Sequence, residues 1–210
     1  MSLENEKSVI NKSVQNRFNV IYHNLRLIRQ SVNELDYLLN NPFDGVLFAT
    51  VGFPYWYYAN LIDIHGRNAT TLLFNLFDGD LSIIRLVNLC EQNVDFLNFH
   101  AKRVDVIKCI SNAKALLNQA KAKHFSLLKD CRDTIVCHQD DINIQSIDEI
   151  GKNVFPLSDM QRLLPILEQA FAYIYYPYTN SEYEQLENKS FIGEAIHIMF
   201  DKKMEDADKS

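Results

Sequence analysis

Residues 9–39 read VINKSVQNRFNVIYHNLRLIRQSVNELDYLL, and apolar side chains return every three or four positions: Val14, Phe18, Ile21, Leu25, Ile28, Val32, Leu35 and Leu39. That period places one stripe of side chains on one face of a helix. The stripe ends at Asn40-Asn41-Pro42, where the proline lacks an amide donor and disfavours helical backbone in the residue before it. A long first helix is therefore expected, and everything downstream follows its style. Apolar spacing from Val46 to Phe77 (Leu61, Ile64, Leu72, Leu76) predicts a second helical segment started or kinked at Pro54 and stopped at Asp78-Gly79-Asp80. Leu81–Phe99 predicts a third, with Ile84, Val87, Leu89 and Phe96 inward.

A fourth helix is expected from about Ala101 to His138, with Val104, Ile107, Ile110, Leu117, Phe125, Leu128 and Ile135 on its inner face. The pattern lapses between Gln139 and Leu157. Ser158 or Asp159 then offers an N-cap for a helix through Tyr175, with Pro177 as its terminator. Asn180 or Ser181, with Glu184 at capping-box spacing from Ser181, predicts a last helix to about Lys203. Residues 204–210 read as a frayed tail. Helices joined by short polar turns predict an all-α, up-and-down helical bundle of about five to six helices, in a single domain over residues 1–210.

Composition agrees with that class. In 210 residues there are only six glycines and five prolines, too few for the many tight turns of an all-β fold, and 47% hydrophobic residues suffice for one core. Met1–Asn11 carries Glu4, Glu6 and Lys7 without an apolar stretch, so no secretory signal is read and a cytoplasmic protein is expected. No apolar run approaches the roughly 20 residues that cross a bilayer. Cys90, Cys109, Cys131 and Cys137 are scattered without a CxxC pair and read as reduced thiols; neither a metal nor another cofactor is expected.

The net charge of −6 disfavours nucleic acid on average, but the charge is uneven. From Lys102 to His138 stand Lys102, Arg103, Lys108, Lys114, Lys121, Lys123, Lys129 and Arg132 against Asp105, Asp130 and Asp133, eight positive and three negative, a segment near +5. Such a stripe attracts phosphates; a solvated helix exterior is the plainer reading.

Within this segment lies Lys129-Asp130-Cys131-Arg132-Asp133-Thr134-Ile135-Val136-Cys137-His138-Gln139-Asp140. Arg132-Asp133 followed by Cys137-His138-Gln139-Asp140 resembles the motif of the HEPN superfamily. It is similar to the Arg-Asp-Lys-x-x-Ala-His-x-Asp pattern of its AbiU2-like branch, with Thr134 in place of the basic residue and Cys137 in place of Ala. Leu76–Ile83 is similar in character to the helix-turn-helix that leads into that motif. The resemblance implies a helical homodimer with a composite site, metal-independent RNA cleavage to a 2',3'-cyclic phosphate and a 5'-hydroxyl, and a role in defence, stress response or a toxin–antitoxin pair, where an antitoxin or regulatory protein is a further partner.

The residue chemistry suits that implication. A neutral imidazole titrating near pH 7 can accept the proton of a 2'-hydroxyl, which makes His138 the candidate base. A guanidinium pairs in a planar fork with non-bridging phosphate oxygens, which makes Arg132 the candidate for transition-state charge, with Asp133 holding either group in place. Residues six apart on an ideal helix are turned by about 120° and lie roughly 9 Å apart along the axis, so a long Arg side chain must reach forward or two chains must pool their motifs. Lys121, Lys129 and His124 are the candidate RNA contacts; His124, Cys131 and His138 are spaced by seven, although a packing role for His124 is the simpler reading. The alternative for the motif is structural, with Arg132 paired to an acid and His138 capping a helix C-terminus. A metal site from His138, Asp140 and Asp141 is a further alternative. The aromatic clusters 53–58 and 171–178 suit a core or a subunit face better than base stacking.

Overall fold

The computed structural model describes residues 3–40, 50, 52, 55–137, 154–184 and 189–207. Among the described residues all regular secondary structure is helical, in six helices: α1 (Leu3–Asn40), α2 (Tyr55–Asp78), α3 (Ile83–Gln92), α4 (Arg103–Cys137), α5 (Leu157–Thr179) and α6 (Phe191–Ala207). The stripe of α1 is buried as its spacing requires: Val14, Phe18, Ile21, Leu25 and Ile28 are fully enclosed, and Leu38 rather than Leu39 closes the row. Buried side chains from all six helices join in one contiguous core.

Four long helices form a closed ring. α2 runs antiparallel to α1, since Arg17 donates to the Asp80 carbonyl (2.5 Å) at one end and Tyr58 donates to the Leu38 carbonyl at the other. α5 is antiparallel to α1 on its opposite side: Tyr178 reaches the Asn11 carbonyl (3.1 Å), Arg29 pairs with Glu168, and Gln161 donates to Asp36 (2.8 Å). α4 packs along α2 through Phe125, whose ring lies 5.8 Å from that of Phe74. Neighbours alternate in direction, which is the up-and-down bundle, with α3 laid across one end and α6 docked on α1. The second aromatic cluster belongs to the α1–α5 seam, where Phe171, Tyr175 and Tyr178 gather around Phe18 at centroid distances of 5.7, 5.8 and 4.8 Å.

Several element limits differ from the sequence reading. α3 is capped by Ser82, whose hydroxyl accepts the Arg85 amide (3.3 Å), and stops at Gln92 rather than running to Phe99. The Asn93 amide group takes the Leu89 carbonyl (2.9 Å), competing with helix continuation. Its buried set is Ile83, Leu86, Val87 and Cys90, so the inward face is turned from the expected one. On α4 the expected inner residues Val104 and Ile107 are exposed (70% and 44%), whereas Val106, Ile110, Ala113, Leu117, Ala120 and His124 are buried. Small residues let α4 lie close to its neighbours, and an apolar count underweights them. α5 starts after Pro156, places Ser158 and Asp159 in its first turn, and continues through Pro177 to Thr179; the Pro177 carbonyl is taken by the His100 amide (2.8 Å). Asn180 closes α5 in the left-handed region (φ 55°).

The last helix begins at Phe191, not near Ser181, because its cap comes from elsewhere in the fold. Ser190 Oγ accepts the Gly193 amide (2.9 Å), and Glu34 of α1 accepts the Phe191 and Ile192 amides (2.9 and 3.2 Å) as well as the Ser190 hydroxyl. α6 runs through Met204 to Ala207, where a frayed tail was expected. The expected start of the second helix around 46–54 and most of the irregular stretch 139–157 lie outside the described residues. No described helix is long and apolar enough to cross a membrane.

Candidate functional site

Arg132 stands on the face of α4 that meets α2. Lys121, Phe125, Leu128, Arg132 and Ile135 recur at helical spacing, so one row of side chains follows the α2 seam. The guanidinium carbon of Arg132 lies 3.9 Å from the centre of the Phe74 ring, and the Lys121 ammonium lies 5.0 Å from that of Phe125. Because Phe125 also stacks on Phe74, two cations face a shared aromatic pair. A cation over an aromatic face is worth about 0.5–2 kcal/mol, rising as water is excluded. The Arg132 side chain is only 29% exposed, and its Nε lies 3.0 Å from Asp133 Oδ1 without the alignment of a hydrogen bond. Asp133 thus sits beside the guanidinium, one of the two positions expected of it. Thr134 donates back to the Asp130 carbonyl (2.9 Å), an internal bond of the helix.

Lys121 and Lys129 are exposed, as RNA contacts must be. His124 is not: it is 3% exposed, packed edge-on to Phe155 with ring centres 6.4 Å apart, and its Nδ1 lies 3.5 Å from Asp159 Oδ1. It belongs to the α4–α5 interior, and its assignment as an RNA contact is corrected on that ground. Burial lowers its pKa below the ordinary 6.5, against the pull of Asp159, so the ring is neutral at pH 7; its Nε2 is enclosed without a hydrogen-bond partner among the described residues.

Beyond Arg132, toward the C-terminal end of α4, the seam opens into a cleft of about 520 Å³ between α1, α2 and α4. Its walls carry Leu27, Ile64, Leu72 and Ile135, and its polar groups are Ser31, Arg67, Asn68 and Thr71. Arg67 is held by Asp63 one turn earlier (Nε to Oδ1 2.7 Å). α2 runs unbroken through His65-Gly66-Arg67. Gly66 allows close approach, since a Cβ there would lie 2.8 Å from Val154 Cγ1. Thr70 locks the same junction, donating to the Gly66 carbonyl (2.8 Å) and accepting the Phe155 amide (3.1 Å). His65 is partly enclosed, with burial lowering its pKa despite the nearby Glu34 carboxylate. The cleft residues were not recognised in the sequence, because Ser31, Asn68 and Thr71 look like any polar positions on helix surfaces until three helices bring them together.

His138, with Gln139, Asp140 and Asp141, lies outside the described residues, so the second half of the motif and the alternative metal site have no geometry to set beside Arg132. Among the described residues no three His, Cys, Asp or Glu side chains cluster as a metal site would require. Burial pushes the Cys90 thiol up to about 12 and raises Cys109 and Cys131 as well, which removes their thiolate character at neutral pH. Compared with known protein families, curated proteins and solved structures, the chain matches none of them.

Proposed function

We propose that the chain is a metal-independent endoribonuclease of HEPN type, active as a homodimer in defence, stress response or a toxin–antitoxin system. The observation that carries the reading is Arg132: a half-enclosed guanidinium over Phe74, one helical turn before Ile135 of the cleft wall and six positions before His138 in sequence. In the proposed reaction the 2'-oxygen bonds to phosphorus as the P–O5' bond breaks. The 2'-hydroxyl proton passes to the His138 imidazole, and water returns a proton to the leaving 5'-oxygen. Arg132 balances the charge on the non-bridging oxygens, and Asp133 limits the positions the guanidinium can take.

The test compares parent, His138→Ala and Arg132→Ala proteins on RNA in EDTA. Loss of the base is expected to lower the rate at least 100-fold, within the usual contribution of proton transfer. Equal cleavage by all three, or none by the parent, contradicts the proposal. One observation favours a second reading, a catalytically inactive helical dimer that binds nucleotide, RNA or a partner protein: packing on Phe74 beside Asp133 gives Arg132 a structural use. Salt-sensitive RNA binding without cleavage selects it.

A further inference from the structure

The polar groups of the cleft have an unusual balance. Ser31 is 7% exposed, yet it lines the cleft, and Asn68 and Thr71 face the same space from α2. None of these three side chains makes a hydrogen bond among the described residues: Ser31 is buried, Thr71 half-buried and Asn68 exposed, so their donors and acceptors are open to a ligand in the cleft. The cation at the rim, Arg67, is neutralised by Asp63, and among the described residues no carboxylate lines the space. Among the described residues a phosphate would find no uncommitted cation here, and an amine no counter-charge. Two hydroxyls and an amide above apolar walls match a flat, neutral heterocycle with donors and acceptors along its edge. A volume near 520 Å³ is in the range of small-molecule sites.

We propose that this cleft holds a nucleobase of the RNA, adjacent to the phosphate that Arg132 meets. The identification of the heterocycle as an RNA base rests on the ribonuclease reading; the pocket's preference for a neutral planar ligand does not. Direction supports the pairing: α4 runs antiparallel to α2, so Phe74 faces Arg132 while Asn68 and Thr71 share the cleft with Ile135, one turn further on. A nucleotide chain following the seam passes from Lys121 over Arg132 into the cleft. Leu27 and Leu72 supply apolar surface for the base, and the Asn68 amide, donor and acceptor at once, reads its edge.

The experiment titrates the full chain with each of the four ribonucleoside 3'-monophosphates, followed by amide NMR shifts, and maps cleavage of an RNA containing every dinucleotide step. Parent, Asn68→Ala and Thr71→Val proteins are compared, the first variant lying on exposed surface and the second conserving shape. Saturable binding with shifts centred on residues 27–31, 64–72 and 135 is expected. Asn68→Ala is expected to weaken it about tenfold and Thr71→Val about fivefold, the effect of one neutral hydrogen bond each. Absence of saturable binding, or binding unchanged in both folded variants, overturns the pocket. RNA cleavage without nucleotide binding overturns the pocket and spares the nuclease; Asn68-dependent binding without RNA cleavage spares the pocket and overturns the nuclease.

Discussion

At the scale of single residues, one buried and one partly enclosed histidine contribute to the acid response. His124 and His65 both have folded-state pKa values lowered chiefly by burial. Above the unfolded value near 6.5 both states hold neutral rings, so neither residue costs stability there. As pH falls through that value the unfolded chain gains protons that the folded chain resists, and stability falls until the folded pKa values are passed. Urea midpoints measured from pH 7.5 to 5 are expected to decline, and His124→Gln to flatten part of the slope, the remainder belonging to His65. A profile with the same slope in the variant contradicts this. Arg132-Asp133 stands out in the sequence because an Arg-Asp pair before a His on a basic helix is a local pattern; its packing on Phe74 is visible only in the fold. The interior position of His124 was not, because its spacing from Cys131 is the same whichever way the helix is turned; Phe155 and Asp159, from a distant segment, decide it.

Helices show the same division between local and distant causes. α1 could be read almost to the residue, since large aliphatic and aromatic side chains mark its stripe. The start of α6 could not, because its cap is partly a carboxylate from more than 150 positions away: Glu34, 1% exposed, takes the first two amides of α6 while Ser190 takes the third. The N-terminal end of a helix dipole and three donors compensate a charge removed from water. Glu34→Ala removes the acceptor of these partly buried donors, and is expected to destabilise by about 1–2 kcal/mol, with amide exchange accelerated first in 191–194. Gly193 adds a steric demand at the same dock, since a Cβ there would lie 2.5 Å from the Tyr37 ring. If Glu34→Ala speeds exchange uniformly over all six helices, α6 is not held by this cap. The α4 face was misjudged for a related reason: Ala113 and Ala120, not Val104 and Ile107, meet the core, and closeness between helices is a property of pairs.

Over the whole molecule, the basic stripe of α4 separates into two kinds of charge. Arg103 is bound to Asp95 (2.6 Å) and Lys114 to Glu91 (2.5 Å), so the N-terminal part of the stripe is largely neutralised in place. Lys121 leans on Phe125 and Lys129 stands exposed, both within three turns of Arg132. Arg103 lies 29 positions before Arg132, about 44 Å along a straight helix. If RNA follows the α2–α4 seam toward the cleft, counterion release must come from the C-terminal half of α4 alone. Each phosphate contact removed lowers the slope of log K against log salt by about 0.7 for single strands. Lys121→Ala and Lys129→Ala are each expected to reduce the slope by roughly that amount, and Arg103→Ala to leave it unchanged, in filter-binding titrations between 50 and 200 mM salt. Equal effects at all three positions would mean that RNA is drawn to the stripe as diffuse charge, with no path along the seam and no reason for the cleft to receive a base.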